Sequence, residues 1–167
     1  MNNKWCVRCG RKTPTPYLRD NYKLLFNMNN QDSDGRASVM DIGCGNGRNS
    51  EFMKKNGHYV YPFDMANDYG EKIALGKDKI PMIGKHIDII LCNYVMMFLS
   101  RTERKQVIKE IKRVAGGKCT IMVELYPAKD SNAKTKEEMI KLQKEIFDDL
   151  KWDKLRYSQG KFIAQKA

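Results

Sequence analysis

Short apolar runs alternate with amphipathic stretches along most of the 167-residue chain. Ser38-Val39-Met40-Asp41-Ile42 is apolar enough for a buried strand and passes into Gly43-Cys44-Gly45-Asn46-Gly47. The helix expected next carries Phe52 and Met53 and stops at Asn56-Gly57, a helix-ending pair. A second strand runs from His58 through Phe63 to Asp64, with Pro62 predicting a local irregularity because it lacks a ladder donor. The continuous run over 87–92 suits a central parallel strand. Ser100-Arg101-Thr102-Glu103 reads as a capping box, opening a helix with Val107, Ile108, Ile111 and Val114 on one face and Gly116-Gly117 at its end. A strand over 118–125 follows, then a helix from near Thr135 with Met139, Leu142, Ile146 and Leu150 inward. Strands over 152–157 and 161–165 close the chain about Ser158-Gln159-Gly160. Residues 65–86 are short for the crossover helix and third strand due there, so a single helical turn or a stripped-down connection is expected. The alternation predicts an α/β fold: an open, mostly parallel sheet with helices on both faces and a C-terminal antiparallel hairpin. Ligands of such sheets bind at the carboxyl ends of the strands, where Gly43, Asp64 and Cys92-Asn93 would lie.

Residues 38–167 form one expected domain, and residues 1–37 an appendage. The appendage holds Cys6-Val7-Arg8-Cys9-Gly10, a Thr/Pro stretch, a helix over 17–28 and a polar loop over 29–36. Cys6 and Cys9 look like half a zinc knuckle, yet a structural zinc takes four ligands and no second Cys or His pair lies nearby, so no metal is expected. The alternatives are two free thiols or a site completed by a second chain. Five cysteines, with Cys44 in the glycine turn and Cys92 and Cys119 in strands, do not resemble a disulfide framework and fit a reducing compartment. No apolar run reaches membrane-spanning length and no signal-peptide core opens the chain, so a cytoplasmic protein without a membrane partner is expected. A net charge of +11, from 31 Lys+Arg against 20 Asp+Glu, predicts attraction to polyanions or anionic substrates. Much of it falls on helices where Lys105, Lys109, Lys112, Lys136, Lys141 and Lys144 alternate with Glu103, Glu110, Glu137 and Glu145, as on solvated faces.

The glycine turn changes the picture. Its order is G-x-G-x-G with Asp41 two residues before the first glycine, not the dinucleotide G-x-G-x-x-G, and this suits S-adenosylmethionine better than NAD. The amino acid part of that cofactor carries an amino group needing an acceptor and a carboxylate needing donors, which an acid beside a glycine turn and a helix N-terminus can provide. A second acid one strand later should accept from the ribose hydroxyls, and Asp64 fills that place.

These residues resemble the class I S-adenosylmethionine-dependent methyltransferases. Within that class the likeness is closest to the tellurite-resistance (TehB-like) enzymes. It is carried by Asp41-Ile42-Gly43-Cys44-Gly45-Asn46-Gly47-Arg48-Asn49-Ser50, by Asn56-Gly57 and Phe63-Asp64, by Asp88-Ile89-Ile90-Leu91 and Val95-Met96-Met97-Phe98-Leu99, and more weakly by residues 152–167. The resemblance implies a seven-stranded Rossmann-like sheet with S-adenosylmethionine as methyl donor. It places Gly43, Cys44 and Gly45 along the methionine moiety, Asp64 at the ribose, Met65 on the adenine face and Asn93 at the edge of the sulfonium pocket. Arg48 and Asn49 would open the helix beside the reacting methyl. For the acid that reaches the adenine amino group, Asp78 is the nearest candidate.

Methyl transfer from a sulfonium needs alignment and a dry pocket more than a base, since positioning alone can supply on the order of 7 to 11 kcal/mol. Of the two histidines, His58 opens the second strand and His86 precedes the fourth, and both are expected at solvent edges. Where nucleobase amino-methyltransferases carry a D/N-P-P-Y/F motif, this chain reads Cys92-Asn93-Tyr94-Val95, which disfavours that chemistry. Tyr94 and Arg48 are the substrate candidates, with Met96, Met97 and Phe98 as core. The expected function is in-line methyl transfer to a small-molecule acceptor, with the helix over 17–28 as a lid. Two alternatives are methylation of RNA or another polyanion, docked on Arg8, Arg11, Lys12, Arg19 and Lys23, and a partner-binding module without catalysis.

Overall fold

The computed structural model describes residues 12–27, 34–65 and 69–166; the Cys6/Cys9 pair lies outside them, as do Arg8, Arg11 and Met28. In chain order the elements are α1 (Pro16–Asn27), β1 (Ser38–Ile42), α2 (Arg48–Lys55), β2 (Tyr59–Asp64), β3 (Glu71–Lys72), β4 (Ile87–Asn93), α3 (Arg101–Val114), β5 (Ala115–Glu124), α4 (Lys136–Leu150), β6 (Asp153–Ser158) and β7 (Lys161–Gln165). The seven strands form one sheet in the order β3-β2-β1-β4-β5-β7-β6. Pairing is parallel from β3 through β5 and antiparallel where β7 meets β5 and β6, so the expected α/β sheet with its C-terminal hairpin is observed.

Period-two alternation of buried residues makes the molecule a three-layer sandwich. Met40, Ile42, Ile90, Cys92, Ile121, Val123 and Phe162 face a cluster completed by α3 and α4 through Val107, Ile111, Met139 and Ile146. Val39, Ile89, Leu91, Met122 and Ile163 face the other way, against Leu18 and Leu25 of α1 and Met53 of α2. The helix expected in the N-terminal appendage is therefore part of this second core layer. Polar anchors hold it there: Arg156 donates to Asn21 Oδ1 at 2.7 Å, and Tyr22 meets His58 Nε2 at 2.8 Å.

Two local departures have physical causes. Between β2 and β4 no helix forms among the described residues; β3 is two residues long, and a non-helical loop lays Ile73, Leu75 and Ile80 on the sheet instead. Residues of α3 fasten that loop, with Glu110 accepting from the Ile80 N–H at 3.0 Å and Arg113 donating to the carbonyls of Ile80 (2.8 Å) and Met82 (2.7 Å). The Gly116-Gly117 pair does not stop α3 ahead of a strand at 118. Instead β5 begins at Ala115, opposite Ile87, and passes through a register shift, where a Cβ on Gly116 would stand 3.1 Å from the Ile87 carbonyl oxygen. Pro62 causes no break. The Phe63 carbonyl bonds toward the β1 side and the Asp64 carbonyl toward β3, so the missing N–H of Pro62 faces the side of β2 that short β3 leaves largely uncovered.

Candidate active site

The carboxyl ends of β1, β2, β4 and β5 lie side by side, in registers that pair Ile42 with Phe63 and Asn93 with Glu124. The glycine turn rises from the first of them. Gly43, Gly45 and Gly47 all have positive φ, which only glycine adopts without strain. They differ in what lies above them. A Cβ on Gly43 would press on Val95 at 2.8 Å and one on Gly47 would run into the Tyr69 ring, whereas none of the described residues stands within 4 Å of the corresponding position on Gly45. The turn is thus packed at both ends and open in the middle, a cradle that a side chain would fill.

The turn's donors are not all turned outward as expected. The N–H groups of Gly43 and Cys44 share the Phe63 carbonyl at 2.8 and 3.0 Å, and the Gly45 N–H donates to Asp64 Oδ2 at 2.9 Å. Asp64, buried at the end of β2, therefore meets the middle of the glycine turn. Cys44 is buried beneath the turn, and Met65 just beyond Asp64 is 60% exposed. Asp41 is buried and accepts from Ser50 Oγ at 2.6 Å, which joins the end of β1 to the first turn of α2. Burial, opposed by Ser50 and aided by the neighbouring Asp64 charge, pushes its pKa up to about 6.

Arg48 is the first residue of α2, and its charge favours the ionised forms of both Asp41 and Tyr94. Asn49 is buried and accepts from the Thr15 N–H at 2.9 Å, so it holds the start of α1. Asn93, at the tip of β4, is also buried; its Nδ2 donates to Glu124 Oε1 at 2.7 Å, while its Oδ1 has no partner among the described residues. Tyr94 adopts φ 63, unusual for a bulky residue, and donates its hydroxyl to Glu124 Oε2 at 2.7 Å. Burial, and then Glu124, hold that phenol well above its ordinary pKa. Its ring meets Tyr126 edge to face at 5.3 Å. Asp78 is exposed and its carboxylate accepts from the Ala74 N–H at 2.6 Å, within its own turn.

Four residues here escaped the sequence reading: Glu124, Thr15, Tyr69 and Tyr126. Thr15 had a local signal, a Thr-Pro pair placing a cap before proline at the first helical position, and its Oγ1 does accept from the Leu18 N–H at 3.3 Å. Glu124 showed itself as a charge ending the apolar run Ile121-Met122-Val123. Tyr69 covers Gly47, with its hydroxyl bonded to Glu51 and Lys54.

A family model described as a hypothetical methyltransferase matches residues 21–151. The chain belongs to that family. Solved structures like this methyltransferase include a SAM-dependent methyltransferase from Aquifex aeolicus, 18% identical over 92% of this chain and 94% of that one, with a TM-score of 0.63. A TehB-like SAM-dependent methyltransferase from Corynebacterium glutamicum is 20% identical over 86% and 83% of the two chains, with a TM-score of 0.61. The 1,6-didemethyltoxoflavin-N1-methyltransferase of Burkholderia thailandensis, solved with 1,6-didemethyltoxoflavin and S-adenosylhomocysteine, is 14% identical over 91% and 79%, with a TM-score of 0.63. No curated protein matches the sequence. The expected enzyme class and Rossmann-like sheet both hold. S-adenosylmethionine dependence, expected from the glycine turn, is also what the names of two of these neighbours state, and the third holds S-adenosylhomocysteine.

The residues fit such a cofactor. The cradle over Gly45 is open, an acid stands at the end of each flanking strand, and Asn93 Oδ1 is a buried acceptor lacking a donor. Among the described residues no helix is long and apolar enough to cross a membrane.

Proposed function

We propose that this methyltransferase transfers the methyl group of S-adenosylmethionine to a small-molecule acceptor. The observation that carries it is the meeting of Asp64 with Gly45, where an uncrowded turn and a buried carboxylate share one hydrogen bond. The cofactor supplies an electrophilic methyl on a sulfonium sulfur. The chain's own residues bind and orient: Asp64 takes the ribose hydroxyls, Met65 lies along the adenine, and Gly43, Cys44 and Gly45 line the amino acid end. Asn93 stands at the edge of the sulfonium pocket, and Arg48 and Tyr94 stand on the acceptor side.

No histidine serves as base. His58 and His86 precede β2 and β4, at the opposite ends of the strands from Asp64 and Asn93. The Tyr94 hydroxyl is committed to Glu124 as a donor, so it acts as wall rather than base. The acceptor therefore arrives already nucleophilic, and catalysis comes from alignment and exclusion of water. The Tyr94–Tyr126 aromatic pair favours a compact acceptor with an apolar or planar face. Residues 12–27 belong with the site's wall, since Thr15 bonds Asn49 and Glu124.

Titration calorimetry with S-adenosylhomocysteine tests the proposal. Wild-type protein binds, and Asp64→Asn, which keeps the shape but loses the charge, binds about 10- to 100-fold more weakly. Absence of wild-type binding at millimolar concentration would overturn it. A polyanionic acceptor is the second reading, favoured by the net charge of +11 and by a shallow groove between α3 and α4 in which Lys105, Lys109 and Lys112 outnumber Asp149. RNA binding that weakens steeply with salt would support that reading, and RNA binding indifferent to salt would remove it.

A further inference from the structure

Glu124 is completely buried at the end of β5, and everything polar around it donates to it. Its Oε1 accepts from the Thr15 hydroxyl at 2.5 Å and from Asn93 Nδ2 at 2.7 Å, while Oε2 accepts from the Tyr94 hydroxyl at 2.7 Å and lies 4.0 Å from Lys161 Nζ. A carboxylate accepts and never donates when ionised, so it fixes which way each partner faces. For Asn93 the consequence is specific. The amide must turn its nitrogen to Glu124, because the flipped rotamer would set its oxygen against a carboxylate oxygen. Its Oδ1 is thereby held as an acceptor in a buried position without a donor. An unmet acceptor at such a place costs free energy unless a ligand supplies the donor.

We infer that Glu124 is a positioning residue for the cofactor: by fixing the Asn93 amide it presents Oδ1 to the cationic amino group at the amino acid end of S-adenosylmethionine. The assignment rests on the proposed cofactor. It concerns one end of that molecule, so it fails separately from cofactor binding as a whole. It also explains why a buried carboxylate stands at the tip of β5, where an apolar residue would pack at lower cost. Thr15 and Tyr94 take two more of its lone-pair sites, one on each oxygen, so the carboxylate is held from both ends.

Two probes separate this role from a structural one. S-adenosylhomocysteine carries the amino group, whereas 5′-methylthioadenosine keeps adenine, ribose and sulfur but lacks the amino acid end. Calorimetry on full-length Glu124→Leu is expected to show S-adenosylhomocysteine binding weakened about 10- to 100-fold, with methylthioadenosine affinity within about threefold of wild type. Glu124→Gln should restore most of the loss, since an amide oxygen at the Oε1 position still accepts from Asn93. If Glu124→Leu shows no cooperative unfolding transition, Asn93→Leu decides by the same pair of probes. Equal weakening of both ligands, or of neither, overturns the positioning role and leaves the cofactor itself in place. Wild-type protein that binds neither ligand overturns both.

Discussion

Gly43 and Gly45 have the same backbone demand, with φ of 70 and 55, yet different surroundings, and exchanging each for alanine separates the fold's requirement from the ligand's. A non-glycine residue in the left-handed region costs about 1–2 kcal/mol at either position. At Gly43 the new methyl also stands 2.8 Å from both Cβ and Cγ2 of Val95 and 3.3 Å from Cγ1, overpacking worth about 1–3 kcal/mol more. Gly43→Ala should therefore lose about 2–5 kcal/mol, and Gly45→Ala only about 1–2. For a chain of this size each kcal/mol lowers the melting temperature by about 2–4 °C, so the two variants are resolvable by calorimetric melting or urea titration. Adding Val95→Ala to Gly43→Ala removes two of the three crowded atoms and should recover part of the loss. Affinity for S-adenosylhomocysteine runs the other way. Gly45→Ala, nearly native in stability, places a methyl in the open cradle and should bind at least tenfold more weakly. Equal destabilisation of the two variants would refute the Val95 contact as the reason for Gly43. Unaltered affinity in Gly45→Ala would show that the cradle is not where the cofactor lies.

Two further outcomes follow from buried charges. His58 Nδ1 accepts from the Ala37 N–H at 3.2 Å, so the neutral ring carries its proton on Nε2 and donates to Tyr22, and burial against Tyr22 and Phe26 holds its pKa below the ordinary value. The unfolded chain binds that proton first, so this contribution is complete well above about pH 6.5 and is lost as pH falls through that value and below it. Asp41 acts with the opposite sign, because its raised pKa favours the fold on the acid side of about 6. The stability difference between wild type and His58→Gln, in which the Asp41 effect cancels, should shrink from pH 7.5 to pH 5.5; a flat difference would refute the assignment. Arg113→Ala removes the donors to Ile80 and Met82 and leaves the buried Glu110 carboxylate without its cation. It should cost about 2–4 kcal/mol and speed hydrogen exchange across residues 73–86, and unchanged exchange there would show that the loop is held by its apolar contacts alone.

What the sequence disclosed follows from the range of the interactions concerned. β1 and β4 lie in the middle of the sheet with both faces covered, so they are apolar apart from Ser38, Asp41, Asp88 and Asn93, and the capping box at Ser100/Glu103 announces α3 from four residues. The third strand was illegible because two residues are enough for it. Its place in the core is taken by Ile73, Leu75, Ile80 and Met82, spaced to neither a helix nor a strand and held by Glu110 and Arg113 from far along the chain. The core role of α1 was hidden for the same reason: Leu18 and Leu25 pack against strands that begin more than a dozen residues later.

The site divides along the same line. The turn proposed to cradle the cofactor is written in one stretch from Asp41 to Ser50, with Asp64 added one strand later, because a glycine turn and the helix after it are local structures. The wall beside it is assembled from Thr15, Asn93, Tyr94, Glu124 and Lys161, with Thr15 and Glu124 109 positions apart. No one of these residues is unusual where it stands, and a threonine before proline or a glutamate ending a strand has an ordinary explanation. Their meaning lies in sharing one buried carboxylate. Removing any donor leaves the others aimed at a charge less well compensated, so the group responds to substitution as a unit rather than as a sum of pairs. That coupling joins the start of α1, the tip of β4 and the end of β5 through one carboxylate, and it is how a helix that reads as an appendage comes to lie beside the strand ends that carry the glycine turn.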